Sequence, residues 1–204
     1  MLKIDFKKEF GELYFPMPAT VVALEVPQMA FAMVDRRGDP NTSTSYREAL
    51  EALFGVSYTL KFGLKRQRVA EFKVGPLETL WSTDDADHFV PSSTKTSWRW
   101  TAMVMQPKVV SVERFRDAVA QLSERKGPHA LPKVRFGRFR EGWSAQTLHI
   151  GPYSAEGPTI ERVHEFIREN GGRPNGRHHE IYLSDPRRTA PAKLRTVVRQ
   201  PFQR

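Results

Sequence analysis

TAMVMQP at 101–107 and RTVVRQP at 195–201 are two versions of one segment, each an apolar strand that closes on Gln-Pro. The chain around them falls into two copies. LETLW (77–81) lines up with HEIYL (179–183), which sets Glu78 against Glu180. The turn at Gly38-Asp39-Pro40 lines up with Gly151-Pro152-Tyr153. Separations between the copies shrink along the chain, as they must if the first copy has the longer helix and loop. A repeat of this size sets the architecture before any single element is read. Each copy reads strand, helix, strand, strand. Two such units side by side imply an α+β fold: two pseudo-symmetric modules with antiparallel sheets and helices behind them, around a central ligand cleft at the pseudo-twofold axis. The copies run over 21–126 and 133–204 after an N-terminal arm at 1–20, within one domain spanning 1–204.

In the first copy, QMAFAMVDRR (28–37) is an apolar, turn-free strand. A helix follows from Ser43–Ser45 to Leu64, with Tyr46, Leu50, Leu53, Ser57, Leu60 and Leu64 at three-and-four spacing and Thr44 or Ser45 as its cap. LETLWST (77–83) and WRWTAMVMQ (98–106) are strands, separated by a loop at 84–95 that is acidic, then Ser/Thr-rich. Ser111 caps a second helix that reaches Arg125. Gly127-Pro128 to Pro132 marks the boundary between the copies. In the second copy, VRFGRFREGWSAQTLHI (134–150) reads as extended chain broken at Glu141-Gly142. A helix over 156–170 ends on Asn170-Gly171-Gly172. HHEIYLS (178–184) and LRTVVRQ (194–200) are strands, the latter ended by Pro201.

Composition removes whole classes of function. The 204 residues are 39% hydrophobic, with 13 Phe, 5 Tyr and 4 Trp, which is enough to build a core. No apolar run is long enough to span a membrane, and MLKIDFKKEF has charges where a signal peptide needs an unbroken apolar stretch. A cytoplasmic protein is the expectation. The absence of cysteine excludes disulfides, thiol catalysis and thiolate metal sites. Six His show no HxH or HxxxH spacing, so no metal is expected, and no phosphate-cradling glycine motif or nucleophile elbow points to a cofactor. The net charge of +9 divides unevenly: 18 Lys/Arg against 16 Asp/Glu up to residue 132, and 14 against 7 beyond it. The basic residues are scattered singly, without the one-sided stripe that tracks a phosphate backbone, so nucleic acid is not an expected partner.

Strand parity gathers the chemistry. In HHEIYLS, Ile181 and Leu183 share a face expected to pack on the helices. His178, Glu180 and Tyr182 share the other, expected to line the cleft beside Glu78 and Leu80. A carboxylate in an aromatic cleft pairs with a cationic ligand or, where desolvation raises its pKa, works as acid or base. The bland alternative is a strand Glu paired with one of the many Arg. Trp98 and Trp100 point the same way, and Trp81 ends its strand close by. The three offer flat surfaces for an aromatic ligand or a cation, or are ordinary core. Tyr153, in HIGPYS before a helix, reaches the cleft or anchors its loop.

YTLKF (58–62), PLETLWSTD (76–84), WRWTAMVMQP (98–107), LHIGPYSAEGPTI (148–160) and HHEIYLSDPRRTAP (178–191) resemble the GyrI-like small-molecule-binding family, in its stand-alone single-domain branch. The resemblance runs from about residue 5 to the C-terminus and implies paired strand-helix-strand-strand modules around a cleft for bulky, often cationic aromatic compounds. Glu180 matches the family's key cleft Glu. The candidate ligand contacts are Trp81, Trp98, Trp100, Glu78 and Tyr58, and the candidates for any chemistry are Glu180, Tyr182 and Tyr153. One departure is Ser82, where the family pattern has a second Trp. Some of the stand-alone branch resemble hydrolases that open the cyclopropane of DNA-alkylating toxins. Three functions compete on these grounds: such a hydrolase, a non-catalytic drug binder, and a gyrase- or nucleic-acid-associated protein; a monomer or weak homodimer is expected.

Overall fold

In the computed structural model, residues 1–83, 98–125 and 130–204 are described. The arm forms β1 (Leu2–Ile4) and two short helices, α1 (Phe6–Glu9) and α2 (Gly11–Tyr14). The first copy follows as β2 (Val22–Val26), β3 (Met29–Arg37), α3 (Thr44–Arg66), β4 (Ala70–Phe72), β5 (Leu77–Thr83), β6 (Trp98–Gln106) and α4 (Val112–Glu124). The second is β7 (Arg135–Phe139), β8 (Gly142–Ile150), α5 (Gly157–Glu169), β9 (Arg173–Pro174), β10 (His178–Tyr182) and β11 (Arg195–Gln203). The loop read at 84–95 and the Gly127-Pro128 turn lie outside the described residues.

Local chemistry sets the element ends, with two corrections. The cap of α3 is Ser43, whose hydroxyl accepts the Ser45 N–H, and not Thr44 or Ser45. Ser111 caps α4 as expected, accepting the Arg114 N–H. Pro201 does not end β11. It sits opposite Ser144 of β8, past the last residue of β11 that pairs with β10, so no β10 partner misses its N–H.

The two copies do not form separate sheets. One antiparallel sheet runs β2-β8-β11-β10-β5-β6-β3-β7, joined at its centre by the pairing of β10 with β5. Outward from that pair, β5-β6-β3 and β10-β11-β8 have the same connectivity. The outermost strands cross over: β2 pairs with β8 of the second copy, and β7 with β3 of the first. The stretch 134–150 is therefore two strands at opposite ends of the sheet, separated by a turn in which Gly142 takes φ +78°.

Two helices lie directly on one face of the sheet, α3 over β3 and β6 and α5 over β8 and β11, while α4 packs on α3. Pairing places His178, Glu180 and Tyr182 on this helix-bearing face together with Trp81, Thr79, Trp100 and Ala102. Here the expectation is corrected, because Ile181 points away from the helices, with Glu78 and Val197 beside it. That rear face is closed by the N-terminal arm, whose Phe6, Leu13 and Tyr14 are buried. Parity states which side chains share a face and is silent on which element covers it.

Candidate functional site

Among the described residues no helix lies over β5 and β10 as α3 and α5 lie over their strands, so these two strands floor the space between the helices. Across the floor, His178 stands opposite Trp81, Glu180 opposite Thr79 and Tyr182 opposite Leu77. Trp81 in turn faces Trp100. From α3, Tyr46 leans over both indoles, stacked on Trp81 at 6.1 Å and edge-on to Trp100 at 4.9 Å. Its hydroxyl is 3.0 Å from Thr79 Oγ1. Trp98 meets Trp81 edge-on at 5.5 Å. From the α5 side, Tyr153 meets the Tyr182 ring edge-on at 5.5 Å. Trp81 and Trp100 are buried beneath Tyr46, whereas Tyr153 is 40% exposed. A ligand entering between the helices therefore meets the tyrosines first and the indoles behind them.

Glu180 lies at the centre, only 8% exposed. Tyr182 donates its hydroxyl to Glu180 Oε2 at 2.6 Å, and His178 Nε2 is 3.4 Å from Oε1. Burial pushes this carboxyl up. The hydrogen bond and charge of His178, with hydrogen bonds from Tyr182 and Glu156, outweigh burial and hold it below the usual carboxylate range. Glu156, the residue before α5, is 4% exposed and interacts with Glu180. Burial first, and the Glu180 charge second, push its carboxyl up to about 10, so it keeps its proton at neutral pH. Burial likewise pushes the Tyr153 hydroxyl up to about 12. The site thus presents an ionised carboxylate next to a neutral carboxylic acid inside an aromatic wall. Among the described residues no group of three or more His, Asp or Glu is placed to hold a metal.

Of the residues singled out from sequence, Glu180, Tyr182, Tyr153, Trp81, Trp98 and Trp100 come together here. Glu78 does not. Glu180 stands opposite Thr79 while Glu78 stands opposite Ile181, so the two carboxylates project from opposite faces. On the rear face Glu78 accepts the Tyr14 hydroxyl at 2.7 Å and lies 3.1 Å from His179 Nε2. His179 Nδ1 contacts Glu141 at 3.0 Å, and Arg199 binds Glu141 at 3.0 Å, Gln146 Oε1 at 2.8 Å and the Leu13 carbonyl at 2.8 Å. Gln146 donates to the Glu12 carbonyl. This network ties the arm to the sheet. Tyr58 also stands apart, 45% exposed on the outer side of α3 and stacked on Phe62 at 6.2 Å. Ser82 is opposite Arg99 on the rear parity, so a Trp there would not face this floor.

Two site residues escaped the sequence reading. Tyr46 was visible only as a member of an apolar helical stripe. Glu156, in YSAEGPT, carries no motif; its signal was an acid at a helix start with no side-chain hydrogen bond to cap the helix.

Over residues 20–202 the chain matches the family described as GyrI-like small molecule binding domain. None of the curated proteins compared with it matches. An uncharacterized conserved protein from Listeria innocua is similar in its crystal structure, with 35% identity, 98% of this chain and 100% of that chain covered, and a TM-score of 0.89. Two Listeria innocua structures described as hydrolases are 33% and 34% identical at the same coverage, with TM-scores of 0.85 and 0.87. Among the described residues no helix is long and apolar enough to cross a membrane.

Proposed function

We propose that this chain, which belongs to the GyrI-like small-molecule-binding family, takes a bulky planar compound between α3 and α5 and adds water to a strained cyclopropane ring on it. The observation that carries this reading is Glu180: a buried carboxylate held ionised by Tyr182 and His178 on a floor ringed by aromatic side chains. Similarity to two proteins described as hydrolases supports it.

In a cyclopropane conjugated to a dienone, the ring CH2 is electrophilic and the carbonyl oxygen is the electron sink. Glu180 accepts a proton from water as its oxygen attacks that carbon. The ring C–C bond breaks, its electron pair moves onto the carbonyl oxygen, and that oxygen takes up a proton to become a phenol. Tyr182 already gives its hydrogen to Glu180, so it holds the base in place instead of serving as the acid. Tyr153 and Tyr46 contact the planar remainder, and the Glu180 charge favours cationic ligands. Water and side chains balance the reaction without a cofactor. The role is detoxification of DNA-alkylating compounds, in the cytoplasm.

Incubation with a cyclopropane-bearing alkylating compound, followed by chromatography and mass measurement, tests the reading. The expected product is one water heavier. Glu180→Gln keeps shape and hydrogen bonding but takes up no proton, so turnover falls by about 10²–10⁴ while a neutral aromatic ligand still quenches tryptophan emission. Binding without turnover in the wild type would leave a drug-sequestering protein, in which Glu180→Gln weakens only cationic ligands.

A further inference from the structure

We infer that the face of the sheet turned away from the cleft carries a second binding site, for a single phosphate group, held by Arg37 and Arg177 while Arg135 neutralises the carboxylate of Asp35 beside them. This site is separate from the one between the helices and does not depend on the reaction proposed there.

The basic residues that form it are scattered along the chain, and the sheet gathers them. Register sets Asp35 of β3 opposite Thr101 of β6 and, two residues further on the same face, Arg37 opposite Arg99. Thr101 is also opposite Leu80 of β5, which is opposite His179 of β10, so this block belongs to the rear face. Thr101 donates its hydroxyl to Asp35 Oδ1 at 2.6 Å. Arg135 of β7 takes both oxygens of the same carboxylate, Nε to Oδ2 at 2.7 Å and Nη2 to Oδ1 at 3.1 Å. Arg177, one residue before β10, reaches over β5 and donates from Nη1 to Thr101 Oγ1 at 2.6 Å.

The charges of this block do not balance. Asp35 is matched by Arg135. Among the described residues Arg177 has that one hydrogen bond and no ion pair, and the Arg37 side chain has neither. Water satisfies an exposed arginine, and Arg37 alone would mean no more than that. Arg177 is different, because it is half-buried and its one partner is an uncharged hydroxyl. Burial lowers its pKa, and the Arg135 charge adds to this against the pull of Asp35. Arg37 and Arg99 are exposed and directly opposite, an arrangement in which like charges repel. An anion between Arg177 and Arg37 relieves both conditions.

The shape of the block selects the anion. An arginine fork pairs two N–H groups with two oxygens of a phosphate. The Arg177 head lies over β6, one strand spacing of about 4.8 Å from the strand that carries Arg37. That reach fits one tetrahedral dianion. A nucleic-acid backbone presents a line of phosphates and calls for a longer basic stripe.

Calorimetric titration of the whole chain with inorganic phosphate at low salt tests the site. Saturable binding of one phosphate is expected, weakened about tenfold or more in Arg177→Gln and in Arg37→Gln, and less in Arg177→Lys, which keeps the charge without the fork. No saturable binding to the wild type, or equal binding to the wild type and a folded Arg177→Gln, overturns the site. A nucleoside monophosphate titrated in parallel distinguishes a carried phosphate from a free one; tighter binding of either, lost in the same variants, supports the site. Salt-dependent binding of a short single-stranded oligonucleotide, with none of phosphate, overturns it and makes this face a nucleic-acid surface. Thermal melting reports folding, and if Arg177→Gln does not fold, the exposed Arg37→Gln decides by the same outcomes.

Discussion

Each face of the sheet buries two carboxyls near its centre, and the two faces treat them differently. Behind the sheet, Glu78 and Glu141 meet His179 and Arg199, with Tyr14 and Gln146 filling the remaining hydrogen-bond positions. Burial pushes the Glu141 carboxyl up, but His179 and Arg199 pull it down to about 2, and Glu141 raises His179 in return. Each of the two carboxyls meets a basic side chain, and every partner comes from a different element. In front, Glu180 meets His178 and the Tyr182 hydroxyl, and Glu156 meets the Thr196 hydroxyl. The charge that is matched fixes the arm to the sheet. The charge that is unmatched leaves a proton available for chemistry, at a cost in stability.

Removing one carboxylate from each face should separate the two roles most strongly. Glu141→Gln leaves His179 and Arg199 buried without their shared anion, which should cost about 3–5 kcal/mol in chemical denaturation. Glu156→Gln removes no matched charge and relieves a strained pair, so its stability should stay within about 1 kcal/mol of the wild type or rise. Equal losses in the two variants would break the comparison.

Much of this contrast could be read in advance, and its limits are instructive. The cap at Ser111 and the grouping of His178, Glu180 and Tyr182 on one face of their strand follow from local chemistry, and both are present. What failed depended on partners distant in sequence. Aligning LETLW with HEIYL put Glu78 level with Glu180, but a one-residue difference in antiparallel register moves a side chain to the other face. The packing of the arm is not legible because Phe6, Leu13 and Tyr14 follow no regular period over so short a stretch; the arm is held by Glu78 and Arg199. Glu156 was illegible for the same reason: its pKa is set by Glu180, which lies 24 residues away along the chain.

The pH dependence of stability sharpens the comparison. Glu141 is depressed, so its contribution is present above the usual 4.5 and is lost as pH falls through about 2. His179 is raised, so its contribution is full below 6.5 and is lost as pH rises through its higher folded value. Glu156 is raised as well: folded, it holds a proton that the unfolded chain has released, and stability falls with rising pH between 4.5 and about 10. One such proton contributes a slope of at most about 1.4 kcal/mol per pH unit. Denaturant titrations between about pH 5 and about pH 9 should show the wild type weakening toward alkaline pH and Glu156→Gln weakening less steeply. Parallel slopes would mean that Glu156 is ionised in the folded protein.

The smallest expected effect concerns Tyr58, and it tests whether the unmatched pair or aromatic surface in general recognises ligand. Tyr58 belongs to a ladder along the outer side of α3, between Phe54 at 6.5 Å and Phe62 at 6.2 Å, with Lys61 Nζ 5.5 Å from the Tyr58 and Phe62 rings. The buried side of that helix is formed by Ala49, Leu53, Val56, Leu60 and Leu64, so Tyr58 points away from the sheet. At 45% exposure its cation–π contact is solvated and worth about 0.5–1 kcal/mol. Tyr58→Ala should therefore leave ligand affinity and turnover within about twofold of the wild type and change stability by no more than about 0.5–1 kcal/mol. Tyr46 is the control, because it covers Trp81 and Trp100 directly above the floor. Tyr46→Ala should weaken an aromatic ligand by about 0.5–1.5 kcal/mol per lost ring contact. A loss for Tyr58→Ala as large as that for Tyr46→Ala would extend the recognition surface up the outside of α3, and Glu180 would then be one contact among many instead of the centre of the site.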